Sequence, residues 1–227
     1  WKKNNLGKGW VIGETLITGI GQGYTQTTPL QLCQMTAQLA NGGFKIYPKI
    51  IVDENTKTAE DIMIIINENR KKLIKKNSGS KDTTELLRFI SKKEHEPLFK
   101  KSKNIRLVRE AMFASTNEVR GTSYSSRIED PKYQFAGKTG TSQVRRITKA
   151  ARELDLNTSQ IPYEERDHAL YIAFGPYKNP RYALSIVIEH GGSGSSTAAP
   201  IAKKLFKLII DRHEFREQAR IKKTIKT

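Results

Sequence analysis

The chain has 227 residues, a net charge of +17, and 37% hydrophobic and 28% charged residues. This composition is typical of a globular protein with a charged surface and enough length to bury a substantial core. A single cysteine, Cys33, excludes an intrachain disulfide, and no apolar run approaches the length of a membrane-spanning helix. The positive charge favours an anionic partner, such as nucleic acid, an anionic membrane surface or an anionic wall polymer. Because the first residue is Trp1 rather than Met, we interpret the sequence as a fragment or a processed piece, so the lack of a secretory signal says little about the parent protein.

The first part of the chain is predicted to be irregular or extended. Residues 1–9 are basic and contain glycine, which predicts a loop, and residues 10–20 are apolar with Thr and Gly, which predicts short extended structure. A glycine run at 19–23 lacks the G-x-G-x-x-G spacing of dinucleotide-binding loops. The run therefore predicts a tight backbone course against another element rather than a nucleotide site.

A helix with clear end signals follows. Thr28 is a suitable N-cap, and Pro29 suits the first helical position, where its missing N–H costs nothing. Apolar residues surround most of the helix at 30–40, so we expect it to be buried in a large core. The Asn-Gly-Gly sequence at 41–43 ends it with residues that tolerate a left-handed cap. Residues 44–52 predict a strand, or a strand pair interrupted by a proline.

Two further helical segments are predicted before the sheet. Residues 53–103 are dense in Lys, Glu and Asp and predict a surface insertion of one or two charged helices. Residues 104–119 predict a helix, because their apolar or small residues recur at helical spacing. The members of this stripe are Ile105, Val108, Ala111, Met112 and Ser115.

Three strand patterns follow in the second half of the chain. Residues 133–144, 168–174 and 182–189 are predicted strands, and residues 145–166 predict a long loop or a partly helical excursion. The Gly-Pro-Tyr-Lys-Asn-Pro sequence at 175–180 has turn chemistry. It predicts that the last two strands form an antiparallel hairpin.

The C-terminal part is predicted to consist of a loop, a helix and a basic tail. Residues 191–196 are a Gly/Ser loop, and a helix with one apolar face begins near 198–200 and runs through Ile209. Residues 212–227 form a basic tail that is predicted to fray. Helices followed by antiparallel strands and a packed C-terminal helix define an α+β fold.

The Lys-Thr-Gly-Thr sequence at 138–141 is the candidate binding site. Side chains alternate along a strand, so Lys138 and Gly140 are predicted on one face, and Thr139 and Thr141 on the other. Gly140 removes side-chain bulk and lets a ligand or another backbone approach. A lysine and two hydroxyls beside an open strand suit a ligand that bears a carboxylate. The same four residues also fit a plain edge strand with a solvated lysine.

An ordered set of motifs resembles class B penicillin-binding proteins, and its last part resembles the elongation-specific branch of that family. The motifs are Gly-Ile-Gly-Gln-Gly-Tyr at 19–24, Thr-Pro-Leu-Gln-Leu at 28–32, Leu-Ala-Asn-Gly-Gly at 39–43, Ala-Gly-Lys-Thr-Gly-Thr-Ser-Gln-Val at 136–144, and Asp167-His168-Ala169 with Phe174, Pro176 and residues 191–200. A K-T-G element is one part of the penicillin-binding-protein signature. The resemblance covers most of the chain outside 53–103 and the last dozen residues, and it implies the C-terminal part of a transpeptidase domain with the penicillin-binding-protein/β-lactamase-like fold.

The resemblance implies a serine acyltransferase that cross-links peptidoglycan stem peptides and is acylated by β-lactams, with no cofactor. Lys138, Thr139, Gly140 and Thr141 would line the strand against which the substrate lies. Lys138 would supply positive charge near the serine and the substrate carboxylate, and a Thr hydroxyl would donate to that carboxylate. The backbone N–H of Thr141 would be an oxyanion donor. The implied location is the periplasmic face of the bacterial inner membrane, with the elongation machinery as a partner.

The nucleophile that the resemblance requires is not found where the family places it. Both S-x-x-K and S-x-N precede the glycine run in the family, and neither motif occurs before it here. Residues 78–81 match S-x-x-K as a string, but within a polar Gly/Ser turn; residues 115–117 and 102–104 are chance matches to the second pattern. We therefore expect the serine to lie in a missing N-terminal half of the domain, which leaves this chain inactive alone. The four histidines form no recognisable triad, and no Cys/His cluster predicts a metal site.

Two alternatives remain open from the sequence. The chain is either a non-catalytic remnant or half of a split protein that docks with an N-terminal partner through exposed apolar surface. A nucleic-acid-binding module is the other alternative, motivated by the net charge of +17. It is disfavoured, because the basic residues are dispersed and no nucleic-acid-binding signature occurs.

Overall fold

An antiparallel sheet of three strands lies between helices in the computed structural model, which describes residues 1–50, 97–144 and 157–224. The helices are α1 (Lys2–Leu6), α2 (Ile12–Gly19), α3 (Pro29–Ala40), α4 (Ser102–Asn117) and α5 (Ala199–Thr224), and the strands are β1 (Ala136–Ser142), β2 (His168–Gly175) and β3 (Tyr182–Ile188). The predicted α+β class is confirmed. Within these ranges, no helix has both the length and the apolar character needed to cross a membrane.

The sheet has the order β1-β2-β3, with β2 in the centre and β1 at an edge. Both pairs are antiparallel: Ala136 lies opposite Phe174 in the first, and Ala169 lies opposite Ile188 in the second. The predicted hairpin of β2 and β3 is confirmed, and the turn between them contains the Gly175–Pro176 peptide bond in the cis form. The first predicted strand is shorter than expected, since the chain at Tyr133 is still in a turn closed by its N–H to Asp130.

Each face of the sheet has its own apolar core, because alternate residues of β2 point to opposite sides. On the α5 side the buried residues are Ile128, Phe135, Ala169, Tyr171, Ala173, Ala198, Ala199, Ala202, Phe206 and Ile210. On the side of α3 and α4 they are Leu39, Ala40, Ile105, Met112, Ala136 and Phe174. Phe135 stacks on Phe206 with ring centroids 4.9 Å apart, and this contact fixes α5 against the chain just before β1.

The start of α3 matches the prediction, but its burial does not. The Thr28 hydroxyl accepts from the Gln31 N–H and the Gln31 side chain accepts from the Thr28 N–H, a capping box ahead of Pro29. Only Thr36, Leu39 and Ala40 are buried. The expectation of a helix buried on most sides was wrong, since α3 packs on β3 with one face and leaves Leu30 57% exposed.

The prediction of a loop at 1–9 and extended structure at 10–20 was wrong, because both segments contain helices. Glu14 explains the second one: its carboxylate accepts from the Val11 N–H at 2.8 Å and pairs with Lys2. The hydrogen bond from Lys2, together with that from Val11, lowers the pKa of Glu14. This local capping outweighs the apolar composition with Thr and Gly that predicted extended structure. After α2, Gly21 and Gly23 have φ values of 80° and 87°, in the left-handed region that favours glycine. A Cβ added at Gly21 would have no atom within 4 Å, and one added at Gly23 would meet only side chains of α2, so the predicted close approach to another element is not seen in the described residues.

Two further predictions need correction. Phe44 makes an isolated bridge to Pro97 instead of a strand, and Ile50 is 97% exposed. The predicted helix at 104–119 is α4, and its predicted stripe is only partly buried: Ile105 and Met112 are buried as expected, whereas Val108 and Ala111 are exposed and the third buried residue is Thr116. The predicted insertion up to residue 96, and residues 145–156, lie outside the described residues.

The C-terminal segment also differs from its prediction. The Gly/Ser loop ends in a single wide helical turn, Gly194–Ala198, that leads directly into α5. The basic tail predicted to fray from residue 212 is helical as far as Thr224. Lys132 explains part of this extension, because it pairs with Asp211 and Glu214 on the outer face of α5.

Truncation of Phe206 tests the α5 core. We expect Phe206→Ala to lower the free energy of unfolding by about 3–5 kcal/mol, because it leaves a cavity against Phe135. The matched control is Phe215→Ala on the same helix, where the ring is 73% exposed, with an expected change of about 0.5 kcal/mol or less. Urea denaturation of both variants gives the comparison, and equal losses would contradict this packing.

Candidate functional site

The Lys-Thr-Gly-Thr sequence lies on β1, and the register confirms the predicted alternation. Lys138 lies opposite Ile172 on the side of α3 and α4, while Thr139 lies opposite Tyr171 on the other side. Lys138 is exposed and Thr139 is half-buried. All four predicted residues therefore stand on one edge strand with access to solvent.

The outer edge of β1 presents backbone groups in known directions. The Gly137 N–H donates to the Thr116 hydroxyl at 3.0 Å, so it points away from β2. Backbone groups along an antiparallel strand alternate direction, and those of Thr139 and Thr141 therefore point outward as well. The Thr139 carbonyl agrees, because it accepts from the Lys138 ammonium at 2.9 Å. In the described part of the chain, no strand pairs with this edge.

A buried hydroxyl cluster holds the start of β1 in place. The Tyr171 hydroxyl lies 3.0 Å from the hydroxyls of both Thr116 and Ser123. Its ring passes under Gly137, where an added Cβ would lie 2.3 Å from the Tyr171 oxygen. Burial raises the pKa of Tyr171, so the phenol keeps its proton and acts as a neutral hydrogen-bonding group.

The Lys138 side chain crosses to the outer edge of β1. Its ammonium lies 3.2 Å from the Thr139 hydroxyl in addition to its bond with the Thr139 carbonyl. The Thr139 hydroxyl is 3.3 Å from that of Thr122, which is 3.2 Å from that of Ser115. A cation and three hydroxyls thus meet at the open edge, an arrangement that suits a carboxylate.

Sequence reasoning did not assign Thr122 or Ser115 to the site. In the sequence Ser115 belongs to the helical stripe at 104–119 and to the chance match at 115–117, and nothing in the spacing of Thr122 relates it to β1. In the structure, the Asn117 side chain of this string donates to the Phe135 carbonyl at 2.9 Å. Asn117 thus links the C-terminal end of α4 to the residue just before β1. The S-x-x-K string at 78–81 lies outside the described residues.

The Gly/Ser segment supports β1 from the α5 side. A Cβ at Gly194 would lie 2.4 Å from the Leu170 carbonyl oxygen and 2.7 Å from that of Gly140. The Thr197 hydroxyl donates to the Gly191 carbonyl at 2.8 Å and closes this segment on itself. The backbone of Gly194 therefore packs directly on the strand at the level of the candidate site.

The histidines of the described ranges contact backbone groups and neighbouring side chains. The His190 N–H donates to Nδ1 of His168 at 2.9 Å, and the two rings pack edge to face. His190 also contacts the Arg166 carbonyl through Nδ1 at 3.1 Å and the Tyr163 ring, with ring centroids 5.0 Å apart. His213 lies on α5 beside Arg181, and His95 falls outside the described residues.

Cysteine and acidic side chains add no metal centre to these ranges. Across residues 1–50, 97–144 and 157–224, no three His, Cys, Asp or Glu side chains come together as metal ligands would. The Cys33 thiol lies 3.4 Å from the Ala183 carbonyl, and burial raises its pKa. Cys33 is therefore a packing residue of α3 rather than a nucleophile.

Comparison with protein families gives a match over most of the chain. Residues 2–207 match the penicillin binding protein transpeptidase domain. Peptidoglycan D,D-transpeptidase MrdA of Salmonella typhimurium is 33% identical over 211 residues, which cover 93% of this chain and 29% of the relative. The protein of the same name from Haemophilus influenzae is 29% identical over 208 residues, which cover 90% of this chain and 27% of the relative. The chain thus spans less than a third of the length of these relatives.

Comparison with solved structures agrees. The complex between penicillin-binding protein (PBP2) and MreC from Helicobacter pylori matches with a TM-score of 0.64 and 25% identity, covering 93% of this chain and 30% of that one. Pseudomonas aeruginosa PBP2 in complex with WCK 5153 matches with a TM-score of 0.57 and 30% identity, covering 89% of this chain and 34% of that one. The fold predicted from the motif order is therefore confirmed.

Replacement of Thr116 by valine tests how β1 is held. Valine keeps the shape but leaves the Gly137 N–H without its acceptor, so we expect Thr116→Val to cost about 1–3 kcal/mol of stability. Thr141→Val is the control, since Thr141 is exposed on the same strand, and it is expected to change stability by about 0.5 kcal/mol or less. Chemical denaturation measures both, and a neutral Thr116→Val would show that the hydroxyl does not hold the strand.

Proposed function

Because this chain belongs to the family of penicillin binding protein transpeptidase domains, we propose that it supplies the substrate-binding strand of a peptidoglycan D,D-transpeptidase. The observation that carries the proposal is the open edge of β1, where the Lys138 ammonium and the Thr139 hydroxyl lie 3.2 Å apart. The curated relatives bear the name of this activity. The substrates are stem peptides of peptidoglycan, and β-lactams occupy the same edge.

Substrate binding follows from the directions of the backbone groups. An extended stem peptide adds to the open edge of β1 as a further strand, with main-chain hydrogen bonds to Thr139 and Thr141. The Lys138 ammonium, which donates to the Thr139 carbonyl in this structure, turns to the terminal carboxylate of the peptide. The Thr139 hydroxyl donates to the same carboxylate, because a carboxylate accepts only.

The chemical step needs a serine from outside these 227 residues. Its oxygen attacks the carbonyl carbon of the penultimate D-Ala, the terminal D-Ala leaves with a proton, and an acyl-enzyme remains. An amine of a second stem peptide then attacks that ester and releases the serine, which completes the cross-link. The outward N–H of Thr141 donates to the oxyanion in both steps, an interaction of about 3–4 kcal/mol in comparable sites.

A covering segment is also proposed for the apolar surface around α2. Ile12, Leu16 and Ile20 are all exposed there, with Leu16 at 72%. Exposed apolar side chains in one region favour an interface. We place the half of the domain that carries the serine on this surface. We also place the assembled protein on the periplasmic face of the inner membrane, with elongation proteins as partners, since a solved relative is a complex with MreC.

Fluorescent penicillin tests the proposal directly. The chain alone is expected to show no covalent label, whereas co-expression with the coding segment upstream of Trp1 should restore labelling, with the label on the upstream piece. Labelling of the chain alone at any serine would contradict an external nucleophile. A mixture that assembles but never labels would instead identify a non-catalytic remnant.

Lys138→Ala tests the role of the ammonium in the labelled complex. We expect the rate of penicillin labelling to fall about 10- to 100-fold, because hydrogen bonds to charged groups are worth roughly 1.5–3 kcal/mol. Lys132→Ala is the matched control, since Lys132 pairs with Asp211 and Glu214 away from the open edge, and labelling should be unchanged. Equal rates for Lys138→Ala and the unmodified protein would remove Lys138 from the site.

A further inference from the structure

A row of three hydroxyls leads from α4 to the candidate site. Ser115, Thr122 and Thr139 form this hydroxyl row, with oxygen–oxygen distances of 3.2 Å and 3.3 Å. Thr122 is exposed, and Ser115 and Thr139 are half-buried, so the row lies at the surface beside the open edge of β1. The row contains no charge of its own, and only its last member contacts the Lys138 ammonium.

The backbone on both sides of Thr122 is fixed. Before it, Gly121 lies so close to the last turn of α4 that an added Cβ would be 2.4 Å from the Ser115 carbonyl oxygen. After it, the N–H and the hydroxyl of Ser123 both donate to that same oxygen at 3.0 Å. The turn that carries Thr122 is therefore fixed against the end of α4, and this sets the position of Thr122 beside β1.

The direction of the hydrogen bonds in the row depends on what Thr139 must do. A lysine ammonium can only donate, so the Thr139 oxygen accepts from Lys138. If Ser115 donates to Thr122, and Thr122 donates to Thr139, the Thr139 proton is free to point outward. If Thr139 instead donates to Thr122, and Thr122 donates to Ser115, the Thr139 proton is used within the row and is not available to a ligand. A bound carboxylate selects the first arrangement, and each donor in such a chain strengthens the next.

We infer that Thr122 is a positioning residue that directs the Thr139 hydroxyl proton toward the carboxylate of the substrate, with Ser115 as its support. This inference rests on the proposed function, since it assigns the carboxylate-recognising part of that same edge. Thr122 touches Thr139 rather than the substrate. Its contribution is specificity for ligands that end in a carboxylate, over analogues in which that group is neutral.

The test compares two β-lactams in the complex that labels with penicillin. Benzylpenicillin carries the carboxylate, and its methyl ester carries a neutral group at the same place. Thr122→Val is expected to lower the acylation rate constant for benzylpenicillin about 5- to 10-fold, the effect of one hydrogen bond, and to leave that for the ester unchanged. Ser115→Ala should give a smaller effect of the same kind.

Two variants separate positioning from folding. Thr122→Ser keeps the hydroxyl and should restore most of the preference for the acid over the ester. Ser125→Ala changes an exposed hydroxyl three residues further along and should leave both rates unchanged. A misfolded Thr122→Val variant would lose acylation by the acid and by the ester together. In that case the ratio of acid to ester acylation rates in Thr122→Ser tests the role of the hydroxyl.

The outcomes distinguish this inference from the function on which it rests. Absence of labelling in the unmodified complex would overturn the transpeptidase assignment, and the role of Thr122 with it. Normal labelling with the same acid-to-ester ratio in the unmodified protein and Thr122→Val would overturn only the role of Thr122. An equal loss for both β-lactams in the folded Thr122→Val complex would also overturn it.

Discussion

The contact between the Tyr171 hydroxyl and Thr116 decides where β1 lies. Tyr171 stands on the central strand, and its side chain passes under Gly137 to reach α4, where the two hydroxyl oxygens are 3.0 Å apart. Thr116 also accepts from the Gly137 N–H, so the outer edge of β1 is fastened at its first residues. An edge strand held by one neighbour alone would be free to twist. This second attachment fixes the outward direction of the backbone groups at Thr139 and Thr141.

An open strand edge usually invites unwanted pairing, and this one is short and carries a charge. β1 has seven residues, with Lys138 exposed near its middle. Lysine on an edge strand is a known device against aggregation. The same lysine is the proposed partner of a ligand carboxylate. One side chain would thus both discourage pairing with other strands and favour a peptide that ends in a carboxylate. Gly140 is consistent with this double role, since the absence of a side chain lets a bound peptide approach the backbone of β1 closely.

Local signals in the sequence predicted much of this fold. The Thr28–Pro29 pair marked the start of α3, and the turn residues at 175–180 joined β2 to β3, because capping and turn chemistry act over a few residues. The order of the motifs identified the family, which the match over residues 2–207 confirms. Local composition misled at residues 10–20, where apolar residues with Thr and Gly predicted extended structure, since a capping carboxylate at Glu14 favours the helix.

Contacts between distant residues were not predictable in this way. The hydroxyl of Thr122 meets that of Thr139 only because the turn after α4 is fastened to Ser115, and no spacing rule expresses that contact. The partial burial of α3 was not predictable from the sequence either, because an apolar helix surface predicts burial without indicating which other elements pack against it. The strands could be found from their own residues, whereas the neighbours that complete the site could not.

Charge and geometry contribute differently to recognition at this edge. A chain with a net charge of +17 attracts many anions, including phosphates and acidic polymers, so charge alone cannot select a substrate. Several described basic side chains are already paired, as Arg106 is with Glu110 and Arg127 with Glu129. The outward N–H groups of β1 fit an extended peptide, and the proposed direction of the Thr139 hydroxyl would add selection for a terminal carboxylate. Since a phosphate backbone offers no peptide groups to pair with a strand edge, the geometry of β1 favours an extended peptide over nucleic acid.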